Sequence, residues 1–239
     1  MLSANALTAN LAREHAFEPL PVRGALPDGL RGTLFRNGPG MMERFGRRYT
    51  HLFEGDGAIT ALRLEDGMAW GASRVVRTDG YVAEEVARRH LGSYAAAWPT
   101  RLRALHTGRF KNTANTSVMV WQQRVFALME AGLPTEIEGQ ALATLGETDL
   151  GVVRGGFSAH PHRVASRRCS FNFGLRYGQR TSLELYALQL RPPGPDLDVC
   201  RGHGLHDRIG NPPNAQKVGP YFRVRVPHHA LLNRIERLI

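Results

Sequence analysis

The chain has 239 residues, 42% of them hydrophobic and 22% charged, which is ample for one large buried core or two small ones. Its formal charge is +10, but the only lysines are Lys111 and Lys217 and the arginines are scattered, with no basic run interleaved with aromatics, so no nucleic-acid partner is expected. No window nears the ~18 apolar residues of a membrane span, and the N-terminus MLSANALTANLAREHAFEP lacks the basic and apolar regions of a signal peptide, which makes a cytoplasmic location the expectation.

Residues 1–30 read as an irregular lead-in ending in the turn-rich stretch LPDGLRG. From Gly32 the pattern becomes β, with GTLFRNGPG as a short strand running into a Gly-Pro turn. A hairpin follows, with Ile59, Leu62 and Leu64 before an Asp66-Gly67 turn and Met68, Trp70 and Val75 after it. Asp-Gly tolerates positive φ at both central positions, which suits the turn of a hairpin. Residues 81–106 are rich in Ala and Arg and predict a helical insertion interrupted at Pro99. NTSVMVWQQRVFALMEAG predicts a second hairpin about Gln122-Gln123, and SFNFGLRYGQRTSLELYALQL a third that turns near Gly178.

Paired strands without alternating helices fit an all-β propeller, and a β-sandwich fits the periodicity almost as well. The last stretch is rich in Pro, Gly and His, with one strand predicted at Tyr221 to Val226 and a short helix at LLNRIERLI. Cys169 and Cys200 cannot make a disulfide framework or a Cys-rich zinc site and are read as reduced and incidental.

Several segments carry a more specific signal. They are GTLFRNGPG at 32–40, HLFEGDGAI at 51–59, RVVRTDGY at 74–81, the long run from NTANT to GETDL at 112–150, and FSAHPH at 157–162. In order and spacing they resemble the carotenoid cleavage oxygenases over about residues 24–190. The resemblance implies the N-terminal blades of a seven-bladed β-propeller that holds Fe(II) on its axis through four histidines. It implies cleavage, with dioxygen, of a double bond in an apolar polyene or a stilbene to two carbonyl products. Peripheral membrane contact during uptake of such a substrate is compatible with it.

His160, in Ser158-Ala159-His160-Pro161, matches the family's first iron ligand. The following proline disfavours helix and holds the histidine extended, as at a strand end. Glu130, in LMEAGLP, matches a family glutamate that accepts the free ring N–H of a ligating histidine. The other reading of Glu130 is a solvent-facing carboxylate at a strand end. His206 falls at about the distance of the family's second ligand, beside Asp207, but Arg208 stands where the family has Phe, so it is either a ligand or a chance histidine. His228-His229 lacks the family spacing, and His203 reads as a solvated loop residue. His162 is expected to face solvent. His51, Asn37 and Asn115 read as scaffold, with the glycines of Glu54-Gly55-Asp56-Gly57 supplying positive φ and close backbone approach. His15, His90 and His106 match nothing and are expected at the surface.

The sequence therefore divides into residues 1–190, the N-terminal part of the propeller, and a non-matching tail, 191–239. The strand pattern is lost at Arg191-Pro192-Pro193, which favours a shifted or early-ended reading frame over a diverged short protein that closes on itself or dimerises. On this reading the iron site is incomplete and the chain alone is inactive. The rival reading is a β-rich interaction module that has lost its metal.

Overall fold

The structure, a computed structural model, describes residues 9–92, 111–176, 182–189, 216–218 and 221–227. The chain divides into two compact units: Met1–Val120 with Arg124–Met129 and Pro134–Thr148, and Trp121–Gln123 with Glu130–Leu133 and Asp149–Ile239.

In the first unit the strands are β1 (His15–Leu20), β2 (Gly32–Met41), β3 (Glu43–Arg44), β4 (Arg47–Arg48), β5 (Asp56–Glu65) and β6 (Met68–Val75). After helix α1 (Asp79–Ala87) come β7 (Ser117–Trp121), β8 (Arg124–Leu128), β9 (Thr135–Ile137) and β10 (Thr144–Glu147). They form two antiparallel four-stranded sheets, β1-β6-β5-β2 and β10-β9-β8-β7, besides the small β3-β4 pair. The β5–β6 hairpin turns where predicted, at Asp66 (φ 50°) and Gly67 (φ 73°), and the β7–β8 hairpin turns at Gln122 (φ 50°) and Gln123 (φ 61°). Both turns carry the positive φ that matches the twist of the flanking strands. Ile59, Ala61, Ala72, Val76, Ala114, Val125, Ala127, Ile137 and Leu142 form one buried core, against which Phe17, Phe35 and Val118 pack.

Three expectations are corrected here. Residues 15–20 are not irregular: HAFEPL is a strand at the sheet edge, where the missing N–H of Pro19 is tolerated and Phe17 reaches the core. The chain does not turn at Gly38-Pro39, because β2 is the opposite edge strand and continues past Pro39 to Met41 through a bulge. The helix starts earlier than predicted, at Asp79, because Thr78 caps it by accepting from the Tyr81 amide at 3.2 Å. Of the predicted insertion, residues 93–106 and Pro99 with them lie outside the described residues.

Motifs far apart in sequence meet in this unit as scaffold. Asn115 Nδ2 donates to the carbonyls of Gly55 (2.6 Å), Phe53 (3.0 Å) and Leu52 (3.4 Å). Asn37 Nδ2 lies 2.8 Å from each of the carbonyls of Ala114 and Ser117. His51 and Glu54 form a capping box on the 3-10 turn Leu52–Glu54, the His51 ring accepting from Phe53 N and the Glu54 carboxylate from His51 N. Close approach, but not positive φ, explains the two glycines of that motif. A Cβ on Gly57 would sit 2.1 Å from the Ala114 oxygen and one on Gly55 2.4 Å from Met42 Sδ, while Gly55 has φ −67°.

The same unit buries a charged cluster. Lys111 Nζ lies 2.6 Å from Asp56 and 2.7 Å from Glu84, and Arg44 reaches Asp56 and Glu84, both at 3.2 Å, and the exposed Glu85 at 2.6 Å. It fastens α1 to β3 and β5.

The second unit is an antiparallel five-stranded sheet, ordered β11-β12-β13-β15-β14. Its strands are β11 (His162–Val164), β12 (Cys169–Arg176), β13 (Ser182–Gln189), β14 (Gln216–Val218) and β15 (Tyr221–Pro227). The third predicted hairpin is present: Arg176 pairs with Ser182, although Gly178 itself lies outside the described residues. The strand predicted at Tyr221 to Val226 is β15, which pairs with β13. Phe157 stacks on Tyr186 at 5.7 Å, and Trp121 Nε1 donates to the Gln189 carbonyl at 2.5 Å. Among the described residues no helix is long and apolar enough to cross a membrane.

Candidate metal centre

The second unit brings two of the sequence's site candidates together. Glu130 follows β8 in a turn where Ala131 has φ 65°, and His160 lies just ahead of β11. His160 Nδ1 is 2.5 Å from Glu130 Oε1. A carboxylate that is ionised can only accept, and accepting here requires the proton on Nδ1, an arrangement that would leave the Nε2 lone pair for a metal.

The backbone around the pair is held on both edges. Ser158 N donates to Phe173 O (2.8 Å) and Gly156 N to Leu175 O (3.2 Å), which ties the segment to β12. On the other edge Phe157 N donates to Gly132 O (3.2 Å) and Ala131 N to Phe157 O (3.1 Å), so the turn that carries Glu130 and the segment that carries His160 share hydrogen bonds. Glycine makes the approach possible. A Cβ on Gly174 would stand 1.6 Å from Gly156 O, and one on Gly156 2.7 Å from Ala131 Cα. Beneath the segment, Asn172 Nδ2 donates to Ser158 O at 2.8 Å. The Tyr186 hydroxyl lies 2.9 Å from the buried Glu184 carboxylate and 3.3 Å from Gly156 O.

The side chains of the pair are open, His160 at 70% and Glu130 at 54% exposure. Among the described residues no group of three His, Cys, Asp or Glu could hold a metal ion. His160 with its carboxylate thus offers one imidazole donor with the geometry of a metal ligand, and no catalytic step through a metal is derived. His206, the second candidate ligand, lies outside the described residues, as do His203, His228, His229, His106 and Cys200. His162 is exposed, as expected. His15 is half-buried, its ring 3.7 Å from Glu18.

His90 is a correction. It is not a surface residue: its side chain is 6% exposed, with edge-on contacts to the Phe45 and Tyr49 rings and Nδ1 3.3 Å from the Tyr49 hydroxyl. Sequence reasoning also gave Ser158 no role, and it passed over the Lys111 cluster, whose one visible signal was a rare lysine directly before the NTANT run.

Comparison with known proteins identifies the setting. The apocarotenoid-15,15'-oxygenase of Synechocystis is 38% identical over 190 residues, covering 72% of this chain and 38% of that protein. The resveratrol cleavage oxygenase 1 of Chaetomium globosum is 36% identical over 157 residues, covering 62% of this chain and 25% of that protein. The carotenoid cleavage oxygenase of Mycobacterium tuberculosis is 34% identical, covering 65% of this chain and 29% of that protein. This chain thus spans well under half the length of these relatives. A solved variant of the Synechocystis apocarotenoid oxygenase superposes with a TM-score of 0.67 at 34% identity, covering 77% of this chain and 41% of that one. A cobalt-substituted structure of the same oxygenase superposes with a TM-score of 0.66 over the same shares. These likenesses make the sheets part of a carotenoid oxygenase propeller and set the sandwich alternative aside. With the retinal pigment epithelial membrane protein family matching residues 8–208, the chain belongs to that family, the carotenoid oxygenases.

Proposed function

We propose that this chain carries the N-terminal scaffold and one iron ligand, His160, of a non-haem Fe(II) dioxygenase that cleaves a conjugated double bond of a carotenoid, apocarotenoid or stilbene. The observation that carries the reading is the 2.5 Å contact between His160 Nδ1 and Glu130. It is the arrangement by which a carboxylate fixes the tautomer of a metal-bound histidine and raises its basicity. The substrate class follows relatives named for apocarotenoid, resveratrol and carotenoid cleavage.

Iron, when bound, would supply activation of dioxygen. The chain's own residues do something narrower. Glu130 holds the Nδ1 proton, and the backbone clamp on 156–158 aims the ring. His206 lies inside the matched span of 8–208 and stays the candidate for a second ligand. With His160 as its one proposed ligand, the chain alone is expected to bind iron weakly and to be inactive.

The rival reading is a β-rich interaction module that has lost its metal. Anaerobic addition of Fe(II) to the purified chain, followed by dioxygen and a carotenoid or stilbene, separates the two. The proposal expects weak iron retention that His160→Ala abolishes, without bleaching. About one iron per chain with bleaching would extend the proposal to a complete site. No iron retention would favour the module, and retention indifferent to His160 would refute His160 as the ligand.

A further inference from the structure

Ser158 has one hydroxyl and stands between the two members of the candidate centre. It is 3% exposed, whereas the side chains it meets are largely open to solvent. Its Oγ accepts from the His160 amide at 3.1 Å and lies 3.4 Å from Glu130 Oε1. The count of protons fixes the direction: the amide supplies one, so the hydroxyl proton is free to point at the carboxylate. The main chain of Ser158 is pinned as well, its N–H by Phe173 O and its C=O by Asn172 Nδ2, both at 2.8 Å.

An exposed ion pair on its own is weakly held, because solvent screens it and two mobile side chains must be ordered. A buried hydroxyl that binds the same carboxylate oxygen as the imidazole removes part of that freedom. It ties the Glu130 carboxylate to the backbone of the residue whose ring that carboxylate orients. We propose that Ser158 is a positioning residue that keeps Glu130 on His160 Nδ1 and so holds the ring in its Nδ1–H tautomer, with Nε2 unprotonated. This inference rests on the reading of Glu130 and His160 given above, and it assigns Ser158 no contact with metal or substrate.

The test reads the tautomer directly, on the full chain and without metal. Long-range 1H–15N correlation at pH ~9, far above the ordinary imidazole range, distinguishes the protonated from the unprotonated ring nitrogen. The His160 signals are assigned by their loss in His160→Gln. The expected result is Nδ1–H in the native chain, a fall of about 2- to 10-fold in the ratio of Nδ1–H to Nε2–H in Ser158→Ala, the worth of one ordinary hydrogen bond, and retention in Ser158→Thr. An unchanged Nδ1–H tautomer in Ser158→Ala overturns the role of Ser158 and leaves the Glu130–His160 reading standing. A native ring already in the Nε2–H form overturns both. If Ser158→Ala does not fold, Ser158→Cys replaces it, and loss or retention of the tautomer decides in the same way.

Discussion

Glu130→Gln keeps the size of the side chain but replaces the acceptor-only carboxylate on His160 Nδ1 with an amide. Loss of such a partner typically lowers metal affinity about 10- to 100-fold. Equilibrium dialysis against Co(II) is expected to show a fall of that order beside the native chain. Gly174→Ala acts on the same segment through space alone, since its Cβ would stand 1.6 Å from Gly156 O. Backbone must move, at a cost of about 1–3 kcal/mol, read as a lower urea midpoint, whereas Gly38→Ala meets nothing within 4 Å and is expected to be neutral or stabilising. Asn115→Ala would leave the carbonyls of Leu52, Phe53 and Gly55 without their shared donor. An expected loss of about 1–3 kcal/mol in urea unfolding, with the His160 tautomer unchanged, would separate scaffold from site.

At the scale of elements, the cluster around α1 gives the fold an acid limit. Burial holds the His90 imidazole below its ordinary value, and the Glu84 carboxylate at 3.7 Å pulls the other way without prevailing. The unfolded chain takes up this proton near the usual value of about 6.5 and the folded chain resists it. The stability due to His90 is therefore complete above that pH and drains as pH falls through it. Burial also pushes Glu84 up, but Lys111 and the amides of Leu91 and Gly92 more than reverse it, so its contribution is lost only at lower pH. Asp56 goes the other way, because its burial outweighs Lys111 and Arg44. Between about pH 7.5 and about pH 5.5, which bracket the ordinary imidazole value, the native urea midpoint should fall further than that of His90→Gln. Equal falls would contradict this assignment.

The hairpins were legible because their turns are local: Asp66-Gly67 and Gln122-Gln123 each fix a register within a few residues. Strand β1 was not, since HAFEPL has no clean alternation and is defined by pairing with β6, about fifty residues later. The buried cluster was hidden for the same reason. Arg44, Asp56, Glu84 and Lys111 look like ordinary surface charges until β3, β5 and α1 are brought together.

At the scale of the whole molecule, the motif residues fall into two groups. Asn37, Asp56, Gly57 and Asn115 make the junction of the first unit, where their work is hydrogen bonding and close packing. Glu130 and His160 make the candidate centre of the second. Resemblance to the family pointed to Glu130 and His160, while composition and periodicity alone would have left His160 as a loop histidine. The support of that histidine by Ser158, Gly156 and Gly174 depends on three chain segments meeting, which no local pattern announces.

The central claim is that His160 is a metal ligand, and paramagnetic broadening tests it even when binding is weak. Sub-stoichiometric Fe(II), added without oxygen to the 15N-labelled chain, should broaden the amide signals around His160 and Glu130 first, and His160→Ala should abolish the effect. Broadening centred on another histidine, or none that depends on His160, would contradict the claim.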